Sequence, residues 1–105
     1  MIIKKILAGI AFLLFIVVAG ISIYNRKYQF SVKVIKNEQG WGYDILQGKR
    51  LIIHQPYMPG ISGQVAFENK NSARKTGQLV VKKIKNKKPP AVNIDELNSI
   101  IKRTD

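Results

Sequence analysis

Along the chain the apolar positions change period several times, and each change marks a new element. Residues Ile6–Ile23, ILAGIAFLLFIVVAGISI, are apolar without a break, with Ser22 as the one side-chain hydroxyl. At about 1.5 Å per residue, a helix over these 18 positions covers about 27 Å, close to the roughly 30 Å of a bilayer's hydrocarbon core. Tyr24 is placed for the lipid–water interface, and Arg26 and Lys27 are placed to snorkel. A secretory signal has the same charged start but a shorter apolar core, and Val18-Ala19-Gly20 offers a weak cleavage site. The run therefore predicts a membrane anchor over 1–27, with a signal sequence or a buried soluble helix as alternatives.

Beyond the run the period drops to two. Tyr28, Phe30, Val32 and Val34 alternate with Gln29, Ser31 and Lys33, which predicts a half-buried strand. Lys33 and Lys36 are read as its solvated, aggregation-blocking positions. Asn37–Gly40 breaks the pattern as a turn. Trp41–Leu46 and Arg50–His54 then read as a hairpin around Gln47-Gly48-Lys49. A two-residue turn would set His54 on the face of Trp41, Tyr43 and Ile45. A three-residue turn would pair Ile45 with Leu51 and Tyr43 with Ile53, leaving Asp44, Ile52 and His54 on the opposite face. A one-residue slip inverts every side chain, so the turn that keeps the large apolar groups together is favoured, and that is the three-residue one.

Gln55–Gly63 contains Pro56, Pro59, Gly60 and Gly63 and predicts a shaped loop with Tyr57 and Met58 at its tip. Gln64–Phe67 is a further short strand or an extended link. From Asn69 or Ser72 to about Asn86 the period becomes helical, with Ala73, Gly77, Val80 and Ile84 on one face and Val81 beside them. Gly77 inside this helix suggests close approach to the sheet. Pro89-Pro90 stops the helix, Asn93 and Glu96 form a capping pair, and Ile94, Leu97, Ile100 and Ile101 stripe a last short helix. The predicted fold is α+β: an N-terminal transmembrane helix, then over 28–105 a small antiparallel sheet of three or four strands with two C-terminal helices packed on one face.

Composition narrows the function. The 105 residues include no cysteine, so neither a disulfide nor a cysteine-linked lipid is possible. The net charge is +12, and only Lys4 and Lys5 of the 18 basic residues precede the apolar run. Such a field attracts anionic lipid, nucleic acid, anionic polymers or an acidic protein. Lys4 and Lys5 favour a cytoplasmic N-terminus, while Arg26, Lys27, Lys33 and Lys36 pull the other way. A short tail before an apolar run is how exported chains begin, which predicts an extracytoplasmic C-terminal domain.

Candidate chemistry is sparse. One histidine and no cysteine do not make a zinc site, and no cofactor is predicted. Ser62, in Gly60-Ile61-Ser62-Gly63, has Gln64 where a nucleophile elbow needs glycine. Asp44 and His54 make a possible acid–base couple, against the simpler reading of a histidine that holds a neighbouring loop. Trp41 and Tyr43 read as core before they read as a ligand platform. Lys82, Lys83, Lys85, Lys87 and Lys88 crowd a helix C-terminus, where cations complement the dipole; they are also the candidate anion-binding set, for headgroups or polymers. No zinc-finger, helix-turn-helix or RNA-binding signature accompanies the charge, which disfavours nucleic acid.

GWGYDI, then GK, IHQP, and PGISG with a following Phe resemble a family of short bacterial envelope proteins known only as a domain of unknown function. The resemblance runs from about Gly40 to Leu97, including Pro89 and Pro90. It rests on Trp41, Gly42, Tyr43, Asp44, His54, Gln55, Pro56, Pro59 and Gly63. Members typically begin with an export or lipoprotein signal, which implies a bacterial inner-membrane protein with its domain outside; this chain lacks the lipidation cysteine. The resemblance implies position and fold more than activity. The sequence thus points to a non-catalytic, membrane-anchored module binding a protein partner or an anionic envelope polymer, with Trp41, Tyr43, Asp44, His54, Gln55, Tyr57 and Met58 as candidate partner-binding residues. The alternatives are a small acid–base enzyme using Asp44 and His54, and a charge-driven binder of anionic lipid or nucleic acid.

Overall fold

The computed structural model describes residues Met1–Thr104; Asp105, the last residue of the expected 28–105 domain, lies outside them. Helix α1 spans Ile2–Tyr28, and none of its residues is buried against the rest of the chain. It is long and apolar enough to cross a membrane, and the same length and composition fit a signal sequence. The helix absorbs Tyr28, which the alternating pattern had assigned to the first strand. Tyr24 and Tyr28 lie one helical turn apart with ring centroids 4.6 Å from each other, a pairing that an extended strand would forbid.

Three strands follow: β1 (Phe30–Lys36), β2 (Trp41–Gln47) and β3 (Arg50–Gln55), antiparallel in the order β1-β2-β3. Asn37 closes the first turn, its Oδ1 accepting from the backbone N–H groups of Gln39 and Gly40, each at 2.9 Å. The second hairpin corrects the expected turn. Gln47 pairs with Arg50, so the turn has two residues, Gly48 and Lys49. Gly48 takes φ +60°, as a two-residue turn with glycine first requires. The facing problem is solved one step later: Leu46 pairs with Leu51 but Ile45 with Ile53, leaving Ile52 as an unpaired bulge residue. Tyr43 therefore pairs with Gln55, and Asp44 directly with His54.

Gln64–Phe67 is a link, not a strand. Only Phe67 pairs, exchanging two 2.9 Å backbone hydrogen bonds with Trp41. Helix α2 (Lys70–Lys85) is N-capped by Asn69, whose Oδ1 accepts from the Ser72 N–H at 2.8 Å. It packs on β1 and β2. Gly77 is the residue that lets it approach, since a Cβ there would lie 2.6 Å from Val32 Cγ1. Helix α3 (Ile94–Thr104) packs beside α2. Its capping pair forms as expected: the Glu96 N–H donates to Asn93 Oδ1 at 2.8 Å, and the Asn93 N–H to Glu96 Oε1 at 3.2 Å.

The core lies between the sheet and the two helices. Tyr43 and Ile45 from β2 meet Phe67, Ala73 and Val80 of α2, and Leu97 of α3. Full burial of an aliphatic chain such as Ile45 or Leu97 contributes about 1.5–3 kcal/mol. The helices leave the other face of the sheet uncovered.

Candidate functional site

Strand alternation and the Ile52 bulge decide which side chains share the uncovered face. From β1 come Ser31, Lys33 and Ile35, from β2 Asp44 and Leu46, and from β3 Leu51 and His54. At its centre His54 Nδ1 lies 2.5 Å from Asp44 Oδ1. A carboxylate only accepts, so Nδ1 carries the hydrogen and donates it. The His54 side chain is 57% exposed and that of Asp44 18%. Beside the pair, Leu51 is 53% exposed and Ile52 36%. The imidazole thus binds across the sheet to β2, not to the neighbouring loop as the simpler sequence reading had it.

The other candidate partner-binding residues lie elsewhere. Tyr43 is 2% exposed in the core, which removes it as a contact residue; burial pushes its hydroxyl up to about 12. Trp41 is half-buried on the same side, with the Lys36 and Lys70 ammonium groups 5.6 and 5.8 Å from its ring centroid. Gln55 turns inward, its Nε2 donating to the Tyr57 carbonyl at 2.6 Å. This bond and one from Asn37 Nδ2 to the Pro56 carbonyl, at 3.0 Å, hold the proline loop in shape. Tyr57 is half-buried, and Met58 packs on the core, where it lines a small cavity of about 160 Å³ with Phe67, Ser72 and Ile101. The seven residues do not form one surface: Asp44 and His54 share the open face, and Trp41, Tyr43, Gln55 and Met58 belong to the packed side.

The lysine cluster also divides. Lys83 Nζ donates to the Ala91 carbonyl at 2.6 Å and pairs with Glu96 Oε1 at 2.7 Å, tying α2 to α3. That bond, followed by the one from the Asn93 N–H, holds the Glu96 carboxyl below its ordinary value. Lys87 ends α2 in the left-handed conformation, φ +56°. Its N–H bonds to the Ile84 carbonyl and the Lys88 N–H to that of Lys83, at 3.1 and 2.8 Å, which is the Schellman pattern. Lys82, Lys85, Lys87 and Lys88 are exposed, Lys85 toward the end of α1. Among the described residues no group of three or more His, Asp or Glu is placed to hold a metal ion.

Sequence reasoning placed Ile52 on the face of Asp44 and His54 but missed Ile35, Leu46 and Leu51 as neighbours of the pair. The sign was there in β3, Leu51-Ile52-Ile53, three apolar residues in a strand that has only one buried face. A run of that kind leaves apolar groups on the open side.

The class defined by these features is a small α+β domain, helices on one sheet face, carried on an apolar helix that fits a membrane span. Residues 33–99, more than half of the chain, match DUF4907, a domain of unknown function, and the chain belongs to that family. The match begins at Lys33 and ends at Ser99, slightly beyond the Gly40–Leu97 stretch that carries the sequence resemblance. No curated protein and no solved structure matches it.

Proposed function

We propose that the chain is a single-pass, non-catalytic module of a bacterial inner membrane, its C-terminal domain extracytoplasmic, which binds a protein partner through the open face of its sheet. The observation that carries this reading is exposed Leu51 beside the Asp44–His54 couple, whose imidazole is exposed, on a face no helix covers. Apolar groups next to a polar pair suit a protein surface better than an anionic polymer. Of the lysines a polymer would use, Lys83 is held by Glu96. The net charge of +12 and Lys33 on the same face favour a partner with an acidic rim.

A photo-crosslinking side chain at Leu51, in intact membranes, tests the reading against one at Gln78, which is exposed on α2. A discrete adduct from position 51 alone, lost when Ile52→Glu is added and weakened by salt, supports it. The same adducts from both positions, or none, defeat it. Protease added to spheroplasts checks the topology, since full protection would put the domain in the cytoplasm.

A second reading has one specific observation in its favour. The 2.5 Å Asp44–His54 contact fixes the imidazole tautomer and leaves Nε2 as a base. Against it, the His54 ring is open to solvent, where developing charge is not shielded from water. Turnover of a substrate that disappears in His54→Asn while the domain stays folded would establish it.

A further inference from the structure

The fold brings two separated parts of the sequence to the end of α1. The β2–β3 turn sits against the helix terminus: the Gly48 N–H donates to the Gln29 carbonyl at 2.9 Å, and Gln47 Nε2 to that of Tyr28 at 3.5 Å. The approach is close enough that a Cβ on Gly48 would meet the Lys27 carbonyl oxygen. The C-terminal end of α2 arrives from the other side. Two open grooves result. One, of about 470 Å³, lies between Ile23, Arg26, Lys27 and Lys49. The other, of about 510 Å³, is lined by Tyr24 and Tyr28 together with Lys85.

We infer that these grooves form a collar for the headgroups of anionic phospholipids. The inference rests on the membrane-anchor part of the proposed function, and not on the protein partner. Arg26, Lys27, Lys49 and Lys85 are all exposed, and no carboxylate lines either groove. They surround the helix within about a turn of Ile23, the last residue of the apolar run. That is the depth at which phosphates lie when the run fills the hydrocarbon core. Tyr24 and Tyr28 supply the aromatic surface typical of that depth, and the Lys27 ammonium sits 5.5 Å from the Tyr28 ring centroid. Lys49 and Lys85 are far from Arg26 and Lys27 in sequence, so the collar exists only in the folded domain. Headgroups bound there hold the domain upright on its helix.

The test is titration of the detergent-solubilised full chain with phosphatidylglycerol or phosphatidylcholine, bound lipid being counted by native mass spectrometry. The wild type is expected to prefer the anionic lipid. Lys49→Gln with Lys85→Gln should remove most of that preference, since each lysine supplies a cationic contact to the phosphate. Lys75→Gln with Lys102→Gln, the same charge change on exposed lysines outside the grooves, should preserve it. Equal uptake of both lipids, or equal loss in both double variants, overturns the collar. Displacement by millimolar soluble glycerol phosphate would make it a phosphate site, not a lipid one, and overturns it too. Carbonate extraction of membranes separates the premise from the inference. A chain released to the supernatant defeats the anchor and the collar together, whereas a retained chain without lipid preference defeats the collar alone.

Discussion

Gly77 faces Val32 across the α2–sheet interface with no room for a methyl group. A Cβ at residue 77 would lie 2.6 Å from Val32 Cγ1 and 3.3 Å from the Tyr43 ring. Two effects compete in Gly77→Ala. Helix propensity favours alanine by about 1 kcal/mol. Overpacking opposes it by about 1–3 kcal/mol, and neither neighbour moves freely: valine is stiff at χ1, and the ring is buried in the core. The variant should be less stable by about 1 kcal/mol despite its better helix former. Urea unfolding of the full chain in micelles checks the sign. In a double-mutant cycle Val32→Ala should remove most of the clash, so additive losses would mean that the two residues do not meet.

Lys87 offers the opposite case. It occupies the left-handed position after α2, where glycine carries no steric penalty. Lys87→Gly should stabilise the full chain by about 0.5–1 kcal/mol, after allowing for glycine's greater freedom when unfolded. Lys87→Ala retains the Cβ and should show no such gain. Thermal unfolding of the two variants side by side separates a backbone effect from loss of a positive charge.

These two residues also show what the sequence reveals and what it hides. Gly77 was legible because a glycine on the apolar stripe of a helix needs a packing reason. The Asn93–Glu96 capping pair was legible because a cap is a local arrangement within a few residues. The left-handed Lys87 was not legible, since nothing in the side chain announces that backbone. The β2–β3 register was half legible. The sequence favoured Tyr43 and Ile45 on a face opposite Asp44 and His54, and they lie so; it did not show that Gly48 makes the shorter turn and Ile52 makes up the difference. Gly42 illustrates the same limit, because its motif position is explained only by Gln55 and Pro56, whose backbone atoms lie 2.5 and 2.6 Å from where a Cβ would be. The separation of Trp41, Tyr43 and Met58 from the Asp44–His54 couple depended on that tertiary register, and so did the arrival of Lys49 and Lys85 at α1.

The bond from Lys83 to Glu96 predicts a dependence on pH. The Glu96 carboxyl is held below its ordinary value, chiefly by Lys83, so the folded state binds its proton more weakly than the unfolded chain does. The resulting stability is present above the unfolded value of about 4.3 and is lost as pH falls through the lower, folded one. Glu96→Gln keeps an oxygen for the cap but has nothing to titrate. The stability difference between wild type and Glu96→Gln should therefore shrink as pH is lowered from about 6 to about 3. The other carboxylates are common to both proteins and cancel. Parallel stability curves over that range would show that the bond at 2.7 Å contributes nothing to folding.

Asp44 and His54 decide between the functional readings, because each assigns the pair a different consequence. A single side-chain hydrogen bond contributes about 1 kcal/mol, and cross-strand side-chain pairs fall in the same range. Asp44→Asn and His54→Asn should therefore leave the domain folded, with unfolding midpoints close to wild type. If the open face binds a protein, both variants should lose the crosslink from position 51 without losing stability, and charge reversal by Asp44→Lys should lose it most completely. If the pair is catalytic, the crosslink persists and turnover vanishes. If either amide variant unfolds in micelles, the couple is a structural clamp between β2 and β3 and the exposed face has another use. Circular dichroism and crosslink yield, measured on the same samples, separate the three outcomes.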